Sequence, residues 1–127
     1  MSHQFCKHYT RDEANALLPQ IRGWLRRIGQ LREELQTYDK RLGSLMAKRN
    51  DLGGSLVNDW VRKLADTKEL LDEFNSRQII IKELERGLID FPAIIGGREV
   101  FLCWEQDEDS IEFWHDLDSG YAGRERL

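Results

Sequence analysis

The stretch FLCWEQDEDSIEFWHD at 101–116 gathers two Phe, two Trp, a Cys and a His around an acidic turn. Its chemistry depends on which side chains share a face, because neighbours in a strand point to opposite sides. If QDED forms an even loop, Val100 faces His115, Leu102 faces Phe113 and Trp104 faces Ile111 on one side. Phe101, Cys103, Glu112, Trp114 and Asp116 then lie on the other. In that register Cys103 and His115 cannot share a ligand. An odd loop puts Cys103, Ile111, Phe113 and His115 together and opens a Cys/His pair for metal or acid–base work. The even register collects the apolar residues of both strands on one face, so it is the expectation. Convergence of Cys103 and His115 on a third polar group in a cleft would favour a site instead.

His115 and Asp116 suggest a general base with an orienting carboxylate. Adjacent strand residues diverge, which leaves Asp90, Glu99, Glu105 and Glu112 as alternative partners for the imidazole. His115, Asp116 and Cys103 are the catalytic candidates, and no nucleophile elbow or phosphate-cradling glycine loop stands beside them. A buried Cys103 acting as a small hydrophobe is the bland alternative. In HQFCKH, His3, Cys6 and His8 are candidate zinc ligands; the competing expectation is a frayed N-terminus. Arg22, Arg26 and Arg27 form a basic patch that could meet phosphates, though pairing with acidic residues of the chain is the simpler role. In GYAGR, two glycines flank Tyr121 before Arg124, which suits an anion grip or, preferably, a turn folding the chain end onto the sheet. A ligand groove would draw on Trp104, Trp114, His115, Tyr121, Arg124 and Asp90. No resident metal or cofactor is expected.

These residues need a scaffold. TRDE at 10–13 has the reciprocal pattern of a capping box, with Thr10 and Glu13 each able to satisfy the other's backbone N–H. Apolar residues then recur at Ala14, Leu17, Ile21, Trp24, Ile28, Leu31, Leu35, Tyr38, Leu42 and Leu45, the 3-4 spacing of a helix packed on a helix. Leu18, Leu25 and Met46 widen that stripe. Pro19 predicts a kink or break. NDLGGS at 50–55 predicts the turn of a hairpin, with Ser55 capping a second helix whose seam runs from Val57 through Trp60, Leu64, Leu71 and Phe74 to Gly87. Folding about residues 52 and 53 pairs Leu45 with Trp60, Tyr38 with Thr67 and Leu31 with Phe74. The head of helix one is left to be covered by the rest: LIDFP, then REVFLCWE after the Gly96–Gly97 turn, then SIEFWHD as its hairpin partner.

Net charge is −4, but residues 1–54 carry 10 Lys/Arg against 6 Asp/Glu and residues 55–127 carry 9 against 17. Halves of +4 and −8 favour packing on each other or on a second copy over a nucleic-acid surface. Two distant cysteines, no apolar run near the ~18 residues of a membrane span, and no apolar leader fit a soluble cytoplasmic chain. Two helices of about 40 residues, ~60 Å long, cannot bury stripes this wide alone, so a homodimer through the helices is expected. Gly29 and Gly43, two heptads apart, would fit a close helix contact or be tolerated surface glycines.

YTRDEANALLP at 9–19, GLIDFPAIIGGREVFLCW at 87–104 and FWHDLDSGYAGR at 113–124 together resemble the bacterial family called domain of unknown function 2203. The resemblance covers about a third of the chain, leaves HQFCKH outside, and carries no activity or catalytic residues over. It implies that the helix head, the DFP segment, the CW/WH hairpin and the GYAGR tail are the family's shared parts.

The expected architecture is α+β: a long antiparallel two-helix hairpin, coiled-coil-like, capped at its open end by a small antiparallel β-sheet. It forms one domain over 1–127, with helix one at 9–50, helix two at 55–86, and the β unit and tail at 87–127. The expected function is a non-enzymatic interaction or regulatory module acting as a homo-oligomer, with room for a further protein partner. Its rivals are an enzyme or metal-dependent site using His115, Cys103 and nearby carboxylates, and nucleic-acid binding through helix one.

Overall fold

A computed structural model describes residues 3–47 and 54–127. The fold is α+β: helices α1 (Arg11–Ala47) and α2 (Gly54–Asn75) precede a five-stranded antiparallel sheet. Its strands are β1 (Ile80–Glu83), β2 (Leu88–Ile95), β3 (Arg98–Glu105), β4 (Phe113–Asp116) and β5 (Glu125–Arg126), in that spatial order. The chain divides into two compact units. One holds Met1–Leu25 with Glu73–Leu127, so the sheet, the head of α1 and the end of α2 belong together; the other is Arg26–Asp72. Among the described residues, no helix is long and apolar enough to cross a membrane.

The capping box forms as read. Thr10 N–H donates to Glu13 Oε1 at 2.9 Å and Glu13 N–H to Thr10 Oγ1 at 3.1 Å, and these bonds, the backbone one first, lower the Glu13 carboxyl below its ordinary value. Thr10→Ala is expected to lower stability by about 1 kcal/mol in urea denaturation, the usual effect of losing such a cap. The helix does not break at Pro19 but runs on through it. The buried stripe is Ala14, Leu18, Ile21, Leu25, Ile28 and Leu31. Leu18 and Leu25 therefore take the places expected for Leu17 and Trp24, which are only partly covered.

Helix two ends far short of Gly87. Gln78 adopts a left-handed conformation (φ 58°), Ile79 N–H donates to Phe74 C=O at 3.0 Å and Gln78 N–H to Asn75 C=O at 3.1 Å. This is a Schellman stop with glutamine where glycine is usual, clamped by Phe74 and Ile79, both buried. The three isoleucines that follow suit a strand, and residues 80–83 pair with β2 rather than extending a helix. Gly87 does need its positive φ of 63°, but in the β1–β2 turn; a Cβ there would lie 2.5 Å from Gln106 Cβ.

The helix pairing also shifts. Within residues 26–72, Lys63 Nζ meets Glu34 at 2.7 Å and Trp60 Nε1 donates to Asp39 at 3.1 Å, while in the other unit Phe74 meets Trp24 edge to face at 5.3 Å. Phe74 was expected on Leu31 and Trp60 on Leu45. Within residues 26–72, each of these α2 side chains thus meets a residue of α1 nearer the N-terminus than expected. The predicted turn at 50–53, and helix one beyond 47, lie outside the described residues.

In the sheet, Gly96 (φ 58°) and Gly97 (φ 76°) make the expected two-residue hairpin between β2 and β3. The β3–β4 register differs from the expected one. Phe101 pairs with His115, Leu102 with Trp114 and Cys103 with Phe113. The connection is not a four-residue loop but runs from 106 to 112, because Ile111 turns into the core, 0 % exposed. Its backbone is gripped by α1: Asn15 Oδ1 accepts Ile111 N–H at 2.8 Å, and Arg11 Nε donates to Ile111 C=O at 2.8 Å.

Candidate functional site

That register decides the site. Ile89, Phe91, Val100, Leu102 and Trp104 alternate onto one face of the sheet, where Arg22 of α1 lies over Trp104 at 5.3 Å. Asp90, Phe101, Cys103, Phe113 and His115 alternate onto the other. Cys103 and His115 thus share a face, contrary to the expected even register, and Asp90 pairs directly with Cys103. The ligand atoms of all three lie within 4.8 Å of one another, and all three residues are buried.

His115 is held at both ring nitrogens. Nδ1 lies 2.7 Å from the Asp116 carbonyl oxygen, so it carries a proton and donates it. Nε2 faces both Asp90 oxygens at 3.1 Å. The Asp116 carboxylate, expected to be poorly placed to orient His115, pairs with Arg98, and the contact of Asp116 with the imidazole is through its backbone carbonyl. A lone pair on Nε2 against an ionised carboxylate repels, so the 3.1 Å contacts call for a proton between them. With a single proton there, imidazole and carboxyl together are neutral. Lys82 Nζ, 3.9 Å from Asp90, adds a half-exposed counter-charge.

Burial, the largest influence, raises the Asp90 carboxyl above the ordinary aspartate value of 3.8, against the pull of His115, Lys82 and the Cys103 thiol. A carboxyl raised on folding favours the folded state fully below 3.8, and that contribution is lost as pH rises through its folded value. Metal-free wild-type protein should therefore lose stability relative to Asp90→Asn as pH is raised from acidic toward neutral, read from denaturant midpoints. Burial and then Asp90 push the Cys103 thiol up to about 12. A protonated, enclosed thiol is a poor nucleophile. Iodoacetamide should label the exposed Cys6 in the native protein and reach Cys103 only after unfolding, as mass spectrometry of the digested chain will report.

The other predicted residues scatter. Trp104 lies on the opposite face, 0 % exposed, donating Nε1–H to Glu108 C=O at 2.9 Å. Trp114 pairs with Leu102 on that same face and lies beneath Arg98, at 5.9 Å. Tyr121 and Arg124 fold over the Cys103 face, Arg124 stacking on Phe113 at 3.7 Å and on Tyr121 at 4.6 Å. Arg124 also pairs with Glu108, so the tail behaves as the turn onto the sheet. Arg22 donates to the Glu108 and Asp109 carbonyls at 3.0 and 3.2 Å, which commits the first member of the basic patch to the acidic loop; Arg26 and Arg27 are exposed.

The N-terminal segment is not frayed over its described residues. Gln4 and Phe5 N–H donate to the Glu99 carboxylate at 2.7 and 3.0 Å, and Cys6 and Lys7 N–H to Gln78 Oε1 at 2.9 and 2.7 Å. His8 Nε2 meets Glu99 at 2.7 Å. His3, His8 and Glu99 make a second group of ligand-type atoms within 4.8 Å, with Glu99 in the place expected for Cys6. Sequence reasoning missed Glu99 here; an acidic residue beside a hairpin turn gives no sign that a segment more than 90 positions away returns to it.

A family model described as "Uncharacterized conserved protein (DUF2203)" matches residues 7–127. The match takes in His8 and leaves His3 and Cys6 outside. No curated protein and no solved structure matches the chain.

Proposed function

The chain belongs to the DUF2203 family, and we propose that it is a non-enzymatic interaction module that pairs with a second copy of itself through residues 26–72. One observation carries this reading: between Leu31 and Phe74, no described residue is buried. Leu35, Leu42 and Leu45 on α1 and Leu71 on α2 stay partly covered, while Val61 and Leu64 are 51 % and 42 % exposed. Each such side chain contributes roughly 1.5–3 kcal/mol when moved fully out of water, so a helical pair with this seam left open retains a large driving force for association. A second copy offers a seam of the same spacing, which meets it around a two-fold axis. A Cβ built on Gly29 or Gly43 would touch nothing within 4 Å, which leaves both glycines accessible to a neighbouring helix.

Against an enzyme, Asp90, Cys103 and His115 converge where substrate cannot reach them, and burial pushes the Cys103 thiol up to about 12. Mass action supplies the test. If folding of the helices is completed by pairing, the thermal midpoint rises with protein concentration. A midpoint unchanged across a hundredfold range of concentration (about 2.7 kcal/mol in the coupled equilibrium) would remove the proposal.

A further inference from the structure

We propose that Asp90, Cys103 and His115 form a binding site for a zinc-class divalent ion that enters as the sheet folds. The three donors are an imidazole nitrogen, a thiol sulfur and a carboxylate, the ligand types zinc prefers, supplied by three adjacent strands and converging within 4.8 Å. His115 is already oriented as a ligand: Nδ1–H is fixed by the Asp116 carbonyl at 2.7 Å, which turns Nε2 toward the other two. Such a hydrogen bond from the far ring nitrogen to a backbone carbonyl is the usual companion of a metal-bound histidine. The Nε2–carboxylate distances of 3.1 Å to both oxygens are near the ~3.3 Å edge of a tetrahedron with ligands about 2.0 Å from its centre.

A thiolate, a carboxylate and a neutral imidazole would place two negative charges around the two positive charges of the ion, with Lys82 Nζ 3.9 Å from Asp90 as a further, partly exposed charge. Because Asp90, Cys103 and His115 are 0, 1 and 2 % exposed, the ion is taken up during folding and exchanges slowly afterwards. This proposal is independent of self-association.

The test uses the full chain without a tag, unfolded in chelator and reductant and refolded with cobalt(II), whose thiolate bond gives a near-ultraviolet charge-transfer band. One cobalt per chain with that band is expected, and zinc should displace it. Cys6→Ser should keep the band, since Cys103 is then the only thiol in the chain. Cys103→Ser should abolish the band and weaken zinc binding at least tenfold, the scale for losing a ligating contact. His8→Ala, which disables the surface group of His3, His8 and Glu99, should change neither. The proposal fails if refolded protein takes up no cobalt, if cobalt binds without the band, if the band vanishes in Cys6→Ser, or if His8→Ala removes binding. Should Cys103→Ser not fold, the Cys6→Ser spectrum decides alone.

Discussion

Asp90→Ala is expected to lower stability by about 3–5 kcal/mol, the scale for removing one partner from a buried charged pair. Asp90 is completely buried and serves His115 Nε2, the Cys103 thiol and Lys82 at once. Its removal leaves the imidazole donating at Nδ1 and without its carboxylate at Nε2, in the buried interior of the sheet. Against the 5–15 kcal/mol that holds a typical domain together, little remains. Asp90→Asn behaves differently. Its amide N–H can donate to the lone pair of a neutral His115, so the shape and one bond persist, and the loss should stay near 1–2 kcal/mol. The ordering matters more than either value. Urea denaturation that finds alanine no worse than asparagine would show that the sheet does not depend on this network.

If the chain pairs as proposed, the double variant Val61→Glu/Leu64→Glu is expected to weaken association at least a hundredfold, because two carboxylates from each chain would enter an apolar seam without partners. The positions are three apart and share one helix face. Both are exposed within a single chain, so the folded protomer should keep its helix content by circular dichroism while light scattering reports its mass halved. Loss of helix together with mass would mean that the protomer cannot fold unpaired; unchanged mass would place any interface elsewhere.

Where the sequence was legible, a local rule acted alone. Thr10 and Glu13 set the start of α1 through bonds three residues apart, and Gly96–Gly97 set the β2–β3 turn, so both are readable from their own neighbourhood. The end of α2 was not. Its stop rests on Gln78 in a conformation that favours glycine, tolerated because Phe74 and Ile79 bury together and the Gln78 side chain caps the backbone of Cys6 and Lys7. Those partners are distant in sequence, and the apolar spacing of Ile80, Ile81 and Leu84 fits a helix equally well.

The site fared likewise. Asp90, Cys103 and His115 were each in view, but their union depended on loop parity, and parity depended on Ile111 leaving the hairpin for the core under the hold of Asn15 and Arg11. A preference for gathering apolar residues on one face chose the wrong register. It did not allow for a sheet with two covered faces, one of them built around a hydrogen-bonded polar group.

The central claim is that residues 26–72 complete themselves against a second copy. Sedimentation equilibrium of the untagged chain measures this directly. The expected result is a mass twice the 15.0 kDa of one chain, shifting toward the single-chain value only on dilution. A mass of one chain at every concentration would contradict it.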